Sequence, residues 1–244
     1  MSTLKVPSLQ HLARIWRPTP EGVEKELLRL ARNKPLFSYE ILKNVPFDFL
    51  YFKVPKEQVA RGIERKERRL SIRNNLLDIV ALLHSHCSSI TPEFVLPVGL
   101  QYYSLARNLR IPFSPTLMYR ENGQTFFPWF IYWRDNPLTM EQFSLFVTLV
   151  EEMLRQDPAL EGAKLQIVDI SAPSKKDPRK LEVLDTESLP RLSDSEKREK
   201  LAIFVEGFER AQTTLLSEVH EEEMNQTISS SNTAQLPLFQ NSDL

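Results

Sequence analysis

The chain has 244 residues, 41% of them hydrophobic, with 31 Lys and Arg against 32 Asp and Glu: enough to fill a core, and too evenly charged for a global field toward nucleic acid or anionic lipid. No run approaches the roughly 18 apolar residues of a membrane span, the start lacks a signal-peptide core, and the single cysteine, Cys87, excludes an internal disulfide or a multi-cysteine zinc site, so a cytoplasmic protein with no membrane partner is expected. Only 6 glycines against 17 prolines, with neither a P-loop nor a G-x-G-x-x-G, exclude the usual phosphate-cradling loops and the ordinary ATPases, kinases and dinucleotide enzymes; no cofactor is implied.

Thr19 followed by Pro20 opens a helix to about Asn33, with Val23, Leu27 and Leu30 on one face and Pro35 to stop it. Residues 49–54 read as a strand. From 55 to about 86, Val59, Ile63, Leu70, Leu77 and Val80 recur at threes, fours and sevens, which predicts the longest helix, bent near Asn74 and Asn75. Residues 99–109 follow as a short helix.

The clearest hairpin runs from 116 to 133, turning at Asn122-Gly123, and its second strand is rich in aromatic residues. Pro128 predicts an edge position for that strand. Thr139 with Gln142 makes a capping box for a helix carrying Phe143, Phe146, Val147, Val150 and Met153 on one stripe. Residues 164–170 and 179–184, joined by the polar stretch 171–178, read as a second hairpin. Ser193 with Glu196 caps the last helix, striped by Leu201, Phe204, Val205, Phe208, Leu215 and Val219.

This order predicts an α+β fold, a mixed or antiparallel sheet with helices packed on one side. A single domain is expected over 1–223, helical in its first half and hairpin-helix-hairpin-helix in its second. From 224 the sequence turns to Asn, Gln, Thr and Ser with almost no apolar residue before Leu236, the composition of a disordered tail over 224–244.

Within that tail stands an isolated apolar patch, Gln235-Leu236-Pro237-Leu238-Phe239. It resembles the short Gln-Leu-x-Leu-Phe peptide by which many bacterial replication and repair proteins dock on the DNA sliding clamp. The resemblance implies that Gln235 hydrogen-bonds at one end of the clamp groove while Leu236, Leu238 and Phe239 fill its hydrophobic pocket. The third position is usually serine or aspartate, from which Pro237 departs. Independently, a polar tether ending in a hydrophobic anchor suits a linear recognition motif, because the tether supplies reach and the anchor supplies buried area.

Other constellations are less specific. Arg61, Arg65, Lys66, Arg68, Arg69 and Arg73 crowd the predicted long helix, and at 100° per residue Arg61, Arg65, Arg68 and Arg69 share a face that could track a phosphate backbone; a solvated face laced with Glu64 and Glu67 is the plain alternative. His84, His86 and Cys87 diverge around a helix and read as structural, so no metal site is assigned. Gln166, Asp169 and Glu182 resemble the acidic residues of metal-dependent nucleases, but Lys180-Leu181-Glu182 reverses the Glu-x-Lys order. Trp129, Ile131 and Trp133 alternate with Phe130 and Tyr132, and whichever face is not core could stack bases. Catalytic residues are not identified. These features predict an accessory protein of bacterial DNA replication, repair or mobile-element maintenance, with the sliding clamp and DNA as partners; a metal-dependent nuclease and a protein-protein adaptor are the alternatives.

Overall fold

Capping chemistry sets three of the helix starts. The Thr19 hydroxyl accepts from Gly22 N, Thr139 and Gln142 exchange both bonds of a capping box, and Ser193 and Glu196 do the same. The computed structural model describes residues 4–33, 38–134, 138–160, 162–174 and 176–233. In chain order they form α1 (Leu9–Ile15), α2 (Pro20–Arg32), α3 (Val45–Leu50), α4 (Lys56–Lys66), α5 (Leu70–Ser88), β1 (Phe94–Pro97), β2 (Gln101–Ala106), β3 (Leu109–Phe113), β4 (Leu117–Glu121), β5 (Gln124–Ile131), α6 (Met140–Gln156), β6 (Lys164–Asp169), β7 (Glu182–Asp185) and α7 (Asp194–Thr233). The fold is α+β. Among the described residues, no helix is long and apolar enough to cross a membrane.

The chain divides into two compact units. The smaller joins α2 to α7 from Ala202 onward. Here Gly207 lets the helices meet: a Cβ at this position would stand 2.6 Å from Val23 Cβ and 2.7 Å from the Pro20 carbonyl oxygen. Around that contact Thr214 bonds Glu24 at 3.0 Å, Arg210 pairs with Glu21 and Arg32 with Glu218. Gly207→Ala is therefore expected to cost about 1–3 kcal/mol through overpacking against a backbone atom that cannot rotate away. A urea midpoint unchanged from wild type would show that the helices separate without penalty. α7 runs through Thr233, into the segment whose composition predicts a tail, and no glycine or proline interrupts it there.

The larger unit is built on a five-stranded sheet of order β1-β4-β5-β6-β7, beside a two-stranded ribbon, β2-β3. The β4–β5 hairpin forms at the predicted turn, where Asn122 (φ 50°) and Gly123 (φ 76°) both take left-handed backbone. β6 and β7 pair antiparallel as expected, but β6 lies parallel to β5, with α6 as the crossover between them. β5 is thus central over 124–126, and at Pro128 it is locally the edge that the proline predicts. Its pairing with β4 stops at Phe126, so the missing N–H falls where β5 has β6 alone as neighbour.

Helices cover both faces of this sheet, not one. On one face Val95, Leu117, Tyr119, Phe126, Phe130, Val168 and Ile170 pack with Phe49, Leu76, Ile79, Val80, Leu83 and Cys87 of α3 and α5. On the other, Trp129 lies against Phe113 of β3 (4.8 Å) and Phe146 of α6 (5.5 Å), with Phe127 and Ile131 fully buried. Gln142 of α6 donates to the carbonyls of Arg14 and Trp16, holding the end of α1.

Three further expectations change. Residues 49–54 are not a strand, because Phe49 and Leu50 end α3, buried on the α5 side. Residues 99–109 are not a helix but the first arm of the β2–β3 ribbon, whose alternating pattern buries Tyr103 and exposes Tyr102. The single helix of 55–86 is two, α4 and α5, separated by extended backbone at Glu67 and Arg69.

Candidate nucleic-acid interface

The break between α4 and α5 has a specific cause. The Glu67 carboxylate accepts from the Arg69 backbone N–H (2.9 Å), its Nε (2.9 Å) and its Nη2 (2.8 Å). This clasp fixes 67–69 as a connection, and the hydrogen bonds from Arg69 hold the Glu67 carboxyl down at about 2. The same bonds raise the Arg69 guanidinium. Glu67 and Arg69 thereby neutralise each other.

The predicted four-arginine helix face does not form. Arg61 and Arg65 lie on α4, Arg68 and Arg69 in the connection, and Arg73 on α5. On α4, Ile63 is buried and Val59 and Ala60 are half-buried, while Gln58, Arg61, Gly62 and Arg65 are exposed. At 100° per residue Arg61 and Arg65 stand together on the side opposite Ile63.

Across 53–73 there are eight cations, Lys53, Lys56, Arg61, Arg65, Lys66, Arg68, Arg69 and Arg73, against Glu57, Glu64 and Glu67, in a chain whose net charge is −1. Among the described residues, Glu67–Arg69 is the one ion pair made within or by this stretch. Most of the cations are exposed, Arg73 being half-buried. The surface is cationic by a local excess, not by the composition of the protein.

Immediately before it, Tyr51 and Phe52 are 55% and 63% exposed. Sequence reasoning missed them, because a strand over 49–54 would have turned one of the two toward the core. Lys53 takes left-handed backbone (φ 52°), and the Val54 N–H donates to the Asp48 carbonyl at 3.1 Å, so the chain reverses sharply between the aromatic pair and α4.

The other candidate sites do not assemble. Both faces of the aromatic strand β5 are covered, which leaves neither for stacking bases. Asp169 and Glu182 are opposite each other in register, but Asp169 is buried with Oδ1 accepting from Ser171 N, and Glu182 is exposed. Gln166, three residues from Asp169 on a strand, falls on the other face and accepts from Tyr119 OH. His84 meets Phe49 edge-on, and Cys87 sits in the core with its thiol pushed up to about 12 by burial. Among the described residues, no group of three His, Cys, Asp or Glu is placed to hold a metal ion.

A cavity of about 590 Å³ opens beside β6, lined by Leu154, Leu160, Leu165, Val183 and Leu184. On its charged rim Glu151 pairs with Arg191 and Lys164 with Glu187, while Arg155 Nε donates to the Glu151 carbonyl. Its lining mixes apolar with polar side chains, Gln166 and Thr186 among them, and Gln166 and Thr186 already bond Tyr119 OH and the Leu165 carbonyl.

No protein-family model matches the chain, and no curated protein is significantly similar to it. Gln235, Leu236, Leu238 and Phe239 lie outside the described residues.

Proposed function

We propose that the protein is an accessory factor of bacterial DNA replication, repair or mobile-element maintenance, which contacts nucleic acid through α4 and its junction with α5 and is brought to the sliding clamp by Gln235, Leu236, Leu238 and Phe239. The observation that supports nucleic-acid contact is the concentration of exposed cations at 53–73 within a protein of balanced charge. Phosphate binding needs such a local cluster and no catalytic constellation. Clamp recruitment rests on the resemblance of the 235–239 peptide, and the two parts fit together: a clamp encircling DNA holds its clients near the duplex.

The clamp arm is tested with the full chain. Calorimetry against a bacterial sliding clamp is expected to give micromolar binding, and Leu238→Ala with Phe239→Ala to remove it. Those two side chains supply roughly 1.5–3 kcal/mol each when enclosed, out of about 8 for a micromolar complex. Gln235→Ala loses about 1 kcal/mol, the worth of one hydrogen bond. Wild-type protein that shows no heat at high micromolar clamp removes recruitment from the proposal.

A further inference from the structure

We infer that the nucleic acid taken by this surface is single-stranded, with Tyr51 and Phe52 as the platform on which its bases stack. This rests on the nucleic-acid reading above and specifies its ligand. Phe47 anchors the platform by packing on the α3–α5 core. Tyr51 stacks on Phe47 (5.1 Å, 17°), and Phe52 meets both edge-on, at 5.8 Å from Phe47 and 4.9 Å from Tyr51. Two rings more than half exposed are held in a fixed arrangement, not left as loose side chains.

Several features make these rings more than stray surface hydrophobics. Lys53, the next residue, holds a left-handed backbone that a lysine rarely adopts, closed by the Val54 to Asp48 hydrogen bond. That turn carries the chain directly from the rings into the cationic α4, so aromatic faces and phosphate-binding charges are contiguous along the backbone. Arg61 and Arg65, on one face of α4, extend the charged track by about 6 Å at 1.5 Å per residue. Such a pairing of stacking rings with a basic track matches a single strand, whose bases are free to leave their neighbours. In a duplex the base faces are already occupied. Charge complementarity with a polyanion separates this occupant from an apolar protein partner.

The test uses the full chain and fluorescent 20-nucleotide probes: a DNA strand, an RNA strand and the matched DNA duplex, read by anisotropy at low salt. Wild type is expected to bind one or both single strands more tightly than the duplex, the two strand arms showing which sugar is preferred. Tyr51→Ala with Phe52→Ala is expected to weaken strand binding about tenfold per ring and to leave duplex binding within twofold. Phe52→Trp is expected to retain binding, with its indole fluorescence quenched by the bound strand. Phe52→Ser alone, at the more exposed ring, carries the same test if the double variant does not fold. Equal binding of strand and duplex, unaffected by any ring variant, overturns the inference and leaves nucleic-acid contact standing. Failure of wild type to bind any of the three probes overturns both.

Discussion

Arg179→Met is expected to destabilise the larger unit by about 3–5 kcal/mol, the largest stability loss of any single substitution considered. Arg179 is 7% exposed and uses every donor of its guanidinium. Nε and Nη2 donate to Asn75 Oδ1 at 3.1 and 3.0 Å, Nη1 to the carbonyls of Trp133 (3.1 Å) and Ile170, and Nη2 to Tyr39 OH at 3.2 Å. These partners are neutral, so burial lowers the guanidinium's pKa, yet arginine stays protonated at any working pH. One side chain thus joins α5, the ends of β5 and β6, and Tyr39. Methionine fills comparable volume but leaves the Asn75 amide oxygen, two carbonyls and a phenol without that partner. Arg179→Lys keeps the charge, reaches fewer acceptors and is expected to lose about half as much. Urea unfolding followed by circular dichroism measures both; a loss below about 1 kcal/mol for methionine would show that water replaces the clasp.

Reversing Arg61, Arg65 and Arg68 to Glu is expected to abolish oligonucleotide binding, a fall of more than about 100-fold at low salt. The reversal turns the excess of positive charge over 53–73 into a slight negative one. All three side chains are exposed, so the melting temperature is expected to stay within about two degrees of wild type. Reversing Arg69 is a poorer probe, because it also breaks the Glu67 clasp that separates α4 from α5. Undiminished binding by the triple variant would place the phosphate contact elsewhere in the protein.

The sequence is most legible where local chemistry decides the structure. Capping residues fixed the starts of α2, α6 and α7, and Asn122-Gly123 fixed the β4–β5 turn, since each needs only neighbours within a few positions. Pairing decided by distant partners was harder to read. The parallel match of β5 to β6 depends on α6 as a crossover, and the change of β5 from central strand to local edge at Pro128 depends on where β4 stops. Over 99–109 the readable strand signal is Tyr102 and Tyr103 on opposite sides of the ribbon, and the pairing that makes it a strand comes from β3.

For the interface, the cations were legible but their geometry was not. A helical wheel assumes an unbroken helix, and the Glu67 carboxylate ends it by capturing Arg69. The aromatic pair at 51 and 52 looked like strand, and its exposure follows from α3 ending at Leu50 and the left-handed turn at Lys53. Arg179 draws on Asn75 and Tyr39 from more than a hundred residues away, and no local pattern announces that.

Nucleic-acid contact by the α4 surface is tested most directly by titrating the wild-type full chain against a labelled single strand at a series of salt concentrations. A single strand releases about 0.7 counterions per phosphate neutralised, so engagement of four or five of the exposed cations predicts a plot of log affinity against log salt that falls with a slope of about −3. A flat plot, or no binding at the lowest salt, would contradict it.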